Sequence, residues 1–65
     1  MANADLDAIR RAFADLTGLF EDAALIASEG QGVKVLDVGR SQLRRISKTV
    51  NQIRRRLALL ERRLQ

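Results

Sequence analysis

The sequence predicts an all-α protein, an antiparallel two-helix hairpin that dimerises into a four-helix bundle. The 65 residues include no proline, and the abundant leucine, alanine and arginine are good helix formers. Two long segments carry apolar residues at alternating steps of three and four, which is the spacing of one helix face. A stretch with three of the four glycines separates these segments, so we expect one hairpin in a single domain, residues 1–65.

The first apolar stripe predicts a helix over about residues 4–29. Asn3 is placed to cap this helix, and Gly30 is placed to end it in a left-handed turn. Gly18 falls on the opposite face, where glycine costs about 1 kcal/mol relative to alanine. The stripe consists of Leu6, Ile9, Phe13, Leu16, Phe20, Ala23 and Ala27.

The second apolar stripe predicts a helix over about residues 41–64. Ser41 is placed to cap its start, and Arg62 and Arg63 suit the negative end of the helix dipole. No glycine or proline follows before the last residue, which is also typical of a segment taken from a longer chain. The stripe consists of Leu43, Ile46, Val50, Ile53, Leu57, Leu60 and Leu64.

Residues 30–40 are expected to connect the helices, because the apolar side chains of residues 33–40 would spread around a helix instead of marking one face. The alternative is that residues 33–40 form an irregular first turn of the second helix. Two antiparallel registers then bring the stripes together. In the wider one, facing residues have numbers that add to about 70, so Phe20 meets Val50. The tighter one, at about 63, brings Phe20 to Leu43, places Gly39 in the core and needs only a short turn. We favour the wider register, because every large residue then has a partner.

The composition argues against an enzyme. The chain has no histidine and no cysteine, so its hydroxyl side chains lack a partner base, and disulfides and Cys/His metal sites are excluded. Asp15 and Asp22 lie seven residues apart, and a solvated acidic face explains them better than a catalytic pair. The glycines match no phosphate-binding loop. We therefore expect no catalysis, no cofactor and no small-molecule substrate.

No segment has the length of a membrane span. The longest apolar run, residues 23–27, has five residues, whereas a spanning helix needs about 20. The first seven residues include two aspartates and no basic residue, unlike the basic start of an export signal. We therefore expect a cytoplasmic protein.

A second apolar line lies beside the stripe of the first helix, at Ala12, Leu19 and Ile26. Stripe and line together make the broad apolar face of a helix inside a bundle. A chain this short, without disulfide or metal, needs further burial to fold stably. We therefore predict that Ala12, Leu19 and Ile26 mediate homodimerisation, the alternative being that they are ordinary surface residues of a monomer.

The charge is divided unevenly along the chain. Residues 1–32 contain six acidic residues and two arginines, a net charge of −4, whereas residues 33–65 contain ten basic and two acidic residues, a net charge of +8. Lys48, Arg55 and Arg62 line up opposite the second stripe, and Arg44 and Arg45 extend this charge toward the turn. We call these five residues the basic ridge.

The basic ridge has two interpretations. Guanidinium groups suit phosphate recognition, but no aromatic residue is interleaved for base stacking. Solvation, or pairing with a neighbouring subunit's acidic helix, explains the ridge at least as well. Our leading hypothesis is a non-enzymatic helical assembly module that self-associates and docks to another macromolecule, such as an acidic protein. The alternative is a small nucleic-acid-binding regulator that uses the ridge.

Overall fold

The computed structural model describes residues 2–65, with side chains from residue 5 onward, as two helices. Helix α1 spans Ala2–Gly30 and helix α2 spans Leu36–Leu64. They are antiparallel, because α2 meets progressively earlier residues of α1 along its length. Gln42 Nε2 donates to the Ile26 carbonyl at 2.9 Å, and Arg56 Nη1 donates to Asp15 Oδ2 at 2.9 Å. The predicted two-helix hairpin is confirmed.

Both helices begin earlier than predicted. Helix α1 begins at Ala2, and the capping role predicted for Asn3 concerns a side chain outside the described ones. Helix α2 begins at Leu36, so Ser41 lies inside it and is not its N-cap. That position belongs to Val35, which is extended (φ −131°, ψ 137°) and makes no side-chain capping bond.

The connection is residues 31–35, much shorter than the predicted 30–40. The backbone amides of Gln31, Gly32 and Val33 each donate to the carbonyl three residues earlier, at 3.1 to 3.2 Å. These tighter bonds satisfy carbonyls that the end of an α-helix leaves unpaired. The left-handed turn predicted at Gly30 is wrong, since no glycine within residues 2–65 has a positive φ.

The wider register is confirmed. The hydrogen bond of Gln42 Nε2 to Glu29 Oε2 (3.4 Å), like the Asp15–Arg56 bond, joins residues whose numbers add to close to 70. Helix α2 therefore runs about one turn past the end of α1. Val33 folds over this overhang, and its Cγ1 would lie 3.5 Å from a Cβ added at Gly39. A short turn and the wider register are compatible because the first turn of α2 needs no partner on α1.

The seam between the helices is rotated relative to the predicted stripes. Its buried centre is the cluster of Leu16, Ile53 and Leu60, at 4 to 6% exposure, so the predicted central position of Ile53 is confirmed. Packed against the cluster are Ile9, Ala12, Leu19 and Ala23. The rest of the predicted stripes is largely exposed, including Leu6, Phe13, Phe20, Leu43, Leu57 and Leu64.

The described chain is one layer of helices. It consists of two helices side by side and measures 53 × 16 × 11 Å. Its radius of gyration is 15.4 Å, against about 11 Å for a compact domain of this length. Domains are normally built from two packed layers. One layer leaves a broad face of the hairpin uncovered.

Neither of the described helices is both long and apolar enough to cross a membrane.

Candidate functional site: an open apolar face and a basic ridge

Two rows of large apolar side chains lie outside the seam, one on each helix. Members of a row are seven residues apart, and this spacing keeps them on one side of a helix. All are exposed except Val50, which is partly buried. We call this surface the open face, and it consists of Leu6, Phe13 and Phe20 on α1 and Leu36, Leu43, Val50, Leu57 and Leu64 on α2.

The two rows belong to the same side of the hairpin. Phe13 from α1 lines one surface groove together with Leu57 and Leu64 from α2, with Leu60 of the buried cluster also in its wall. The confirmed register pairs the remaining members in the same way, with Leu6 level with Leu64. The rows therefore run side by side along the hairpin, and only Leu36 extends beyond α1.

The open face contains the only two aromatic residues of the chain. Phe13 is 52% exposed and Phe20 is 54% exposed. Single exposed apolar residues are ordinary, whereas large contiguous apolar patches on a protein surface are typical of interaction sites. Large side chains remain outside the hairpin while the smaller Ala12 and Ala23 pack inside it.

The chain exposes more area than a compact monomer of its mass, and the excess is larger than a standard interface removes. The chain exposes 5410 Å², whereas a folded monomer of its mass exposes about 4,200 Å². The excess is therefore about 1,200 Å², and a standard interface removes about 800 Å² from each partner. A second helical layer over the open face, with an interface of standard size, would remove about two thirds of this excess.

The opposite side of the hairpin has the polar contacts that join the two helices. Arg56 bonds Asp15 there, and Arg45 Nη1 lies 3.5 Å from Glu29 Oε2. Gln42 donates to the Ile26 carbonyl, and its Oε1 accepts from Arg45 Nη1 at 3.2 Å. These contacts lie on the flank away from Phe13 and Leu57, which leaves the open face without ion pairs between the helices.

Sequence analysis missed two polar residues of the seam. Gln42 is partly buried, and Thr49 is 9% exposed with its Oγ1 donating to the Arg45 carbonyl at 3.3 Å. A search for apolar periodicity overlooks such positions. The available signal was that Gln42, Thr49 and Arg56 are themselves seven apart and, in the wider register, face acidic positions of α1 that include Asp15 and Glu29.

The residues predicted to mediate self-association lie elsewhere than expected. Ala12 and Leu19 pack against the buried cluster, and Ile26 is 8% exposed beside Gln42. All three are therefore engaged within the hairpin, because the seam is rotated toward them. Contrary to the prediction, this line is covered within the hairpin, and the uncovered residues are those of the open face.

All five residues of the basic ridge are exposed, but they differ in their contacts. Arg45 pairs with Glu29, and Arg44 Nη2 donates to Ser41 Oγ at 3.1 Å. Within the described part of the chain, no ion pair involves Lys48, Arg55 or Arg62. These three residues, spaced by seven on the side of α2 opposite the seam, are the available portion of the ridge.

The described residues hold no group of three or more acidic, histidine or cysteine side chains that could bind a metal ion. Asp15, half of the acidic pair considered above, is engaged with Arg56. Comparisons of the chain with protein-family models, curated proteins and solved structures found no match. The open face and the basic ridge are therefore the basis for functional inference.

Proposed function

We propose that this protein is a non-enzymatic assembly module in which two hairpins pair through their open faces into a four-helix bundle. The observation that carries the proposal is the exposure of Phe13 and Phe20 on a hairpin only one helix thick. Pairing adds the missing layer and encloses both phenylalanines. It also explains why each helix has an apolar face broader than one neighbour can cover.

The outside of such a bundle would present the basic ridge to other macromolecules. Lys48, Arg55 and Arg62 lie opposite the seam and away from the open face, so dimerisation leaves them accessible. Each chain has a net charge of +4, and pairing doubles it without neutralising these three residues. The bundle therefore suits an acidic partner, in keeping with a module that assembles first and then docks.

Substitution of the open face tests the proposal. Phe13→Glu should convert the dimer to a helical monomer, because a charge would replace an aromatic ring at the centre of the interface. Leu25→Glu is the matched control, since Leu25 is also exposed (61%) but belongs to neither row of the open face. Sedimentation velocity measures association and circular dichroism measures helicity.

If the Phe13→Glu protein unfolds, the milder Phe20→Ser change separates association from folding, because it adds no charge. It should weaken the dimer while helicity is retained at high concentration. The proposal is wrong if both Phe variants dimerise as tightly as the Leu25→Glu control.

The second candidate function is nucleic-acid binding through the ridge. The observation in its favour is that Lys48, Arg55 and Arg62 are exposed and make no ion pair among the described contacts. Each step of seven residues rises about 10 Å along a helix, so the three cations form a straight row that could follow a phosphate backbone. This function is compatible with dimerisation.

A further inference from the structure

We propose that the two hairpins of the dimer pair with their turns at the same end, so that α1 of each chain packs on α2 of the other. The inference rests on self-association through the open face and adds the arrangement of the two copies. It follows from the charges of the helices and from the polar residues that border the open face.

Two symmetric arrangements bring the open faces together. If the twofold axis runs along the hairpins, both turns lie at one end and α1 of each chain lies over α2 of its partner. If the axis runs across the hairpins, the turns lie at opposite ends. Each helix then lies over the same helix of the partner chain. Both enclose the same apolar rows, so apolar burial alone does not choose between them.

The net charges of the helices favour the first arrangement. Helix α1 has six acidic residues and two arginines, whereas α2 has nine basic and two acidic residues. Placing α1 on α2 of the partner brings opposite charges together. Placing α2 on its own copy brings two strongly basic helices together, and like charges across an interface oppose association.

Charged residues at the border of the open face also favour the arrangement with both turns at one end. Arg10 follows Leu6 by four residues, and Glu61 follows Leu57 by four, so both lie beside a face row on the side away from the seam. Glu61 lines the groove that contains Phe13 and Leu57. Arg10 is 71% exposed and held only loosely, with its Nη1 3.9 Å from Asp7 Oδ1.

An axis along the hairpins preserves position along their length, so the register within one hairpin also applies between the copies. Arg10 then lies opposite Glu61 of the partner subunit, and the symmetry forms this pair twice. An axis across the hairpins instead lays each helix on the same helix of the partner subunit, so Arg10 on α1 and Glu61 on α2 stay at opposite edges of the dimer. Only the first arrangement therefore forms the Arg10–Glu61 pair.

The arrangement has a consequence for the turn. Leu36 is 77% exposed and extends beyond α1, so its own hairpin cannot cover it. With the turns together, both copies of Leu36 lie at one end of the bundle beside the partner's turn. The assembly would then have one end formed by two turns.

A distance between labels at the two turns tests the arrangement. The chain has no cysteine, so Gln31→Cys gives a single attachment point for a spin label in each subunit. Turns at the same end should give a label separation below about 30 Å, since neighbouring helices of a bundle pack about 8–10 Å apart. Turns at opposite ends would give a separation close to the 53 Å length of the hairpin.

The outcomes separate the two proposals. A dimer with a short distance supports the arrangement, and a dimer with a distance near 53 Å overturns it while leaving self-association intact. A labelled protein that stays monomeric, as does the unlabelled chain, overturns both. If only the labelled protein is monomeric, the same measurement at Gly32→Cys decides.

Exchanging the charges of Arg10 and Glu61 tests the arrangement independently. Arg10→Glu should raise the dimer dissociation constant about 3- to 10-fold, because two symmetry-related pairs are lost. Adding Glu61→Arg should restore most of the loss by recreating the pair with its charges reversed. If the double variant dimerises no more tightly than the Arg10→Glu variant alone, the two residues do not meet across the interface.

Discussion

The Arg56 guanidinium donates to the Asp15 carboxylate at 2.9 Å and joins the two helices on one flank of the hairpin. The Arg45–Glu29 pair lies on the same flank, nearer the turn. Together they bring that side of each helix into the seam. Phe13 and Leu57, on the other flank, therefore lie outside the seam. The polar contacts and the open face both follow from the rotation of the seam relative to the predicted stripes.

Truncation of the buried cluster should destabilise the fold. Ile53 is 6% exposed at its centre, and Ile53→Ala should cost about 2–5 kcal/mol because it removes buried methyl groups and leaves a cavity. A domain this small has little more stability to lose, so cooperative thermal unfolding should disappear. Leu25→Ala is the control and should change stability by no more than about 0.5 kcal/mol. Similar melting curves for the two variants would contradict the assigned seam.

Substitution of Gly18, unlike that of Ile53, should stabilise the fold. A Cβ added at Gly18 meets nothing within 4 Å, as predicted from its place opposite the stripe. Gly18→Ala should therefore raise stability by about 0.5–1 kcal/mol through helix propensity alone. Chemical denaturation at a fixed protein concentration measures the gain. Destabilisation would mean that this side of α1 is covered by a partner.

The basic ridge can be tested by charge removal. If it binds nucleic acid, duplex DNA or RNA should bind with roughly micromolar or weaker affinity that falls steeply with salt, because neutralised phosphates release counterions. Replacing Lys48, Arg55 and Arg62 with Gln should remove most of this binding without loss of helicity. Titration by fluorescence anisotropy at several salt concentrations measures both.

A control variant with the same charge change keeps this test specific. Replacing Arg11, Lys34 and Arg40 with Gln removes three positive charges outside the ridge, and most of the binding should survive. Greater loss in this control than in the ridge variant would place the contact nearer the turn. No binding by the wild-type protein at low salt would rule out the nucleic-acid function.

The hairpin and its register could be predicted from the sequence because only the wider register gives each large residue of both stripes a partner. The rotation of the seam could not. Helix α1 has apolar positions in three adjacent rows, and periodicity does not indicate which rows face the neighbour in the same chain. Ala12 was therefore placed outside and Phe13 inside, whereas the structure shows the reverse.

The rotation of the seam involves polar residues. Gln42 and Thr49 lie in the seam because their polar groups bond to backbone carbonyls, and no apolar pattern reveals this. The start of α2 at Leu36 was not predicted from apolar periodicity either. Its first turn projects beyond α1, so the side chains there need not share one face. The exposed ridge residues were predicted more readily, since charged side chains opposite a stripe stay in solvent.

The measurement that tests the central claim most directly is sedimentation equilibrium of the unmodified chain across a range of concentrations. Covering the open face with a second hairpin predicts a mass of about twice the 7.3 kDa chain at micromolar concentration, with dissociation only on dilution. A folded, helical protein that keeps the monomer mass at the highest concentrations would contradict the account, since Phe13 and Phe20 would then be stable in solvent without a partner.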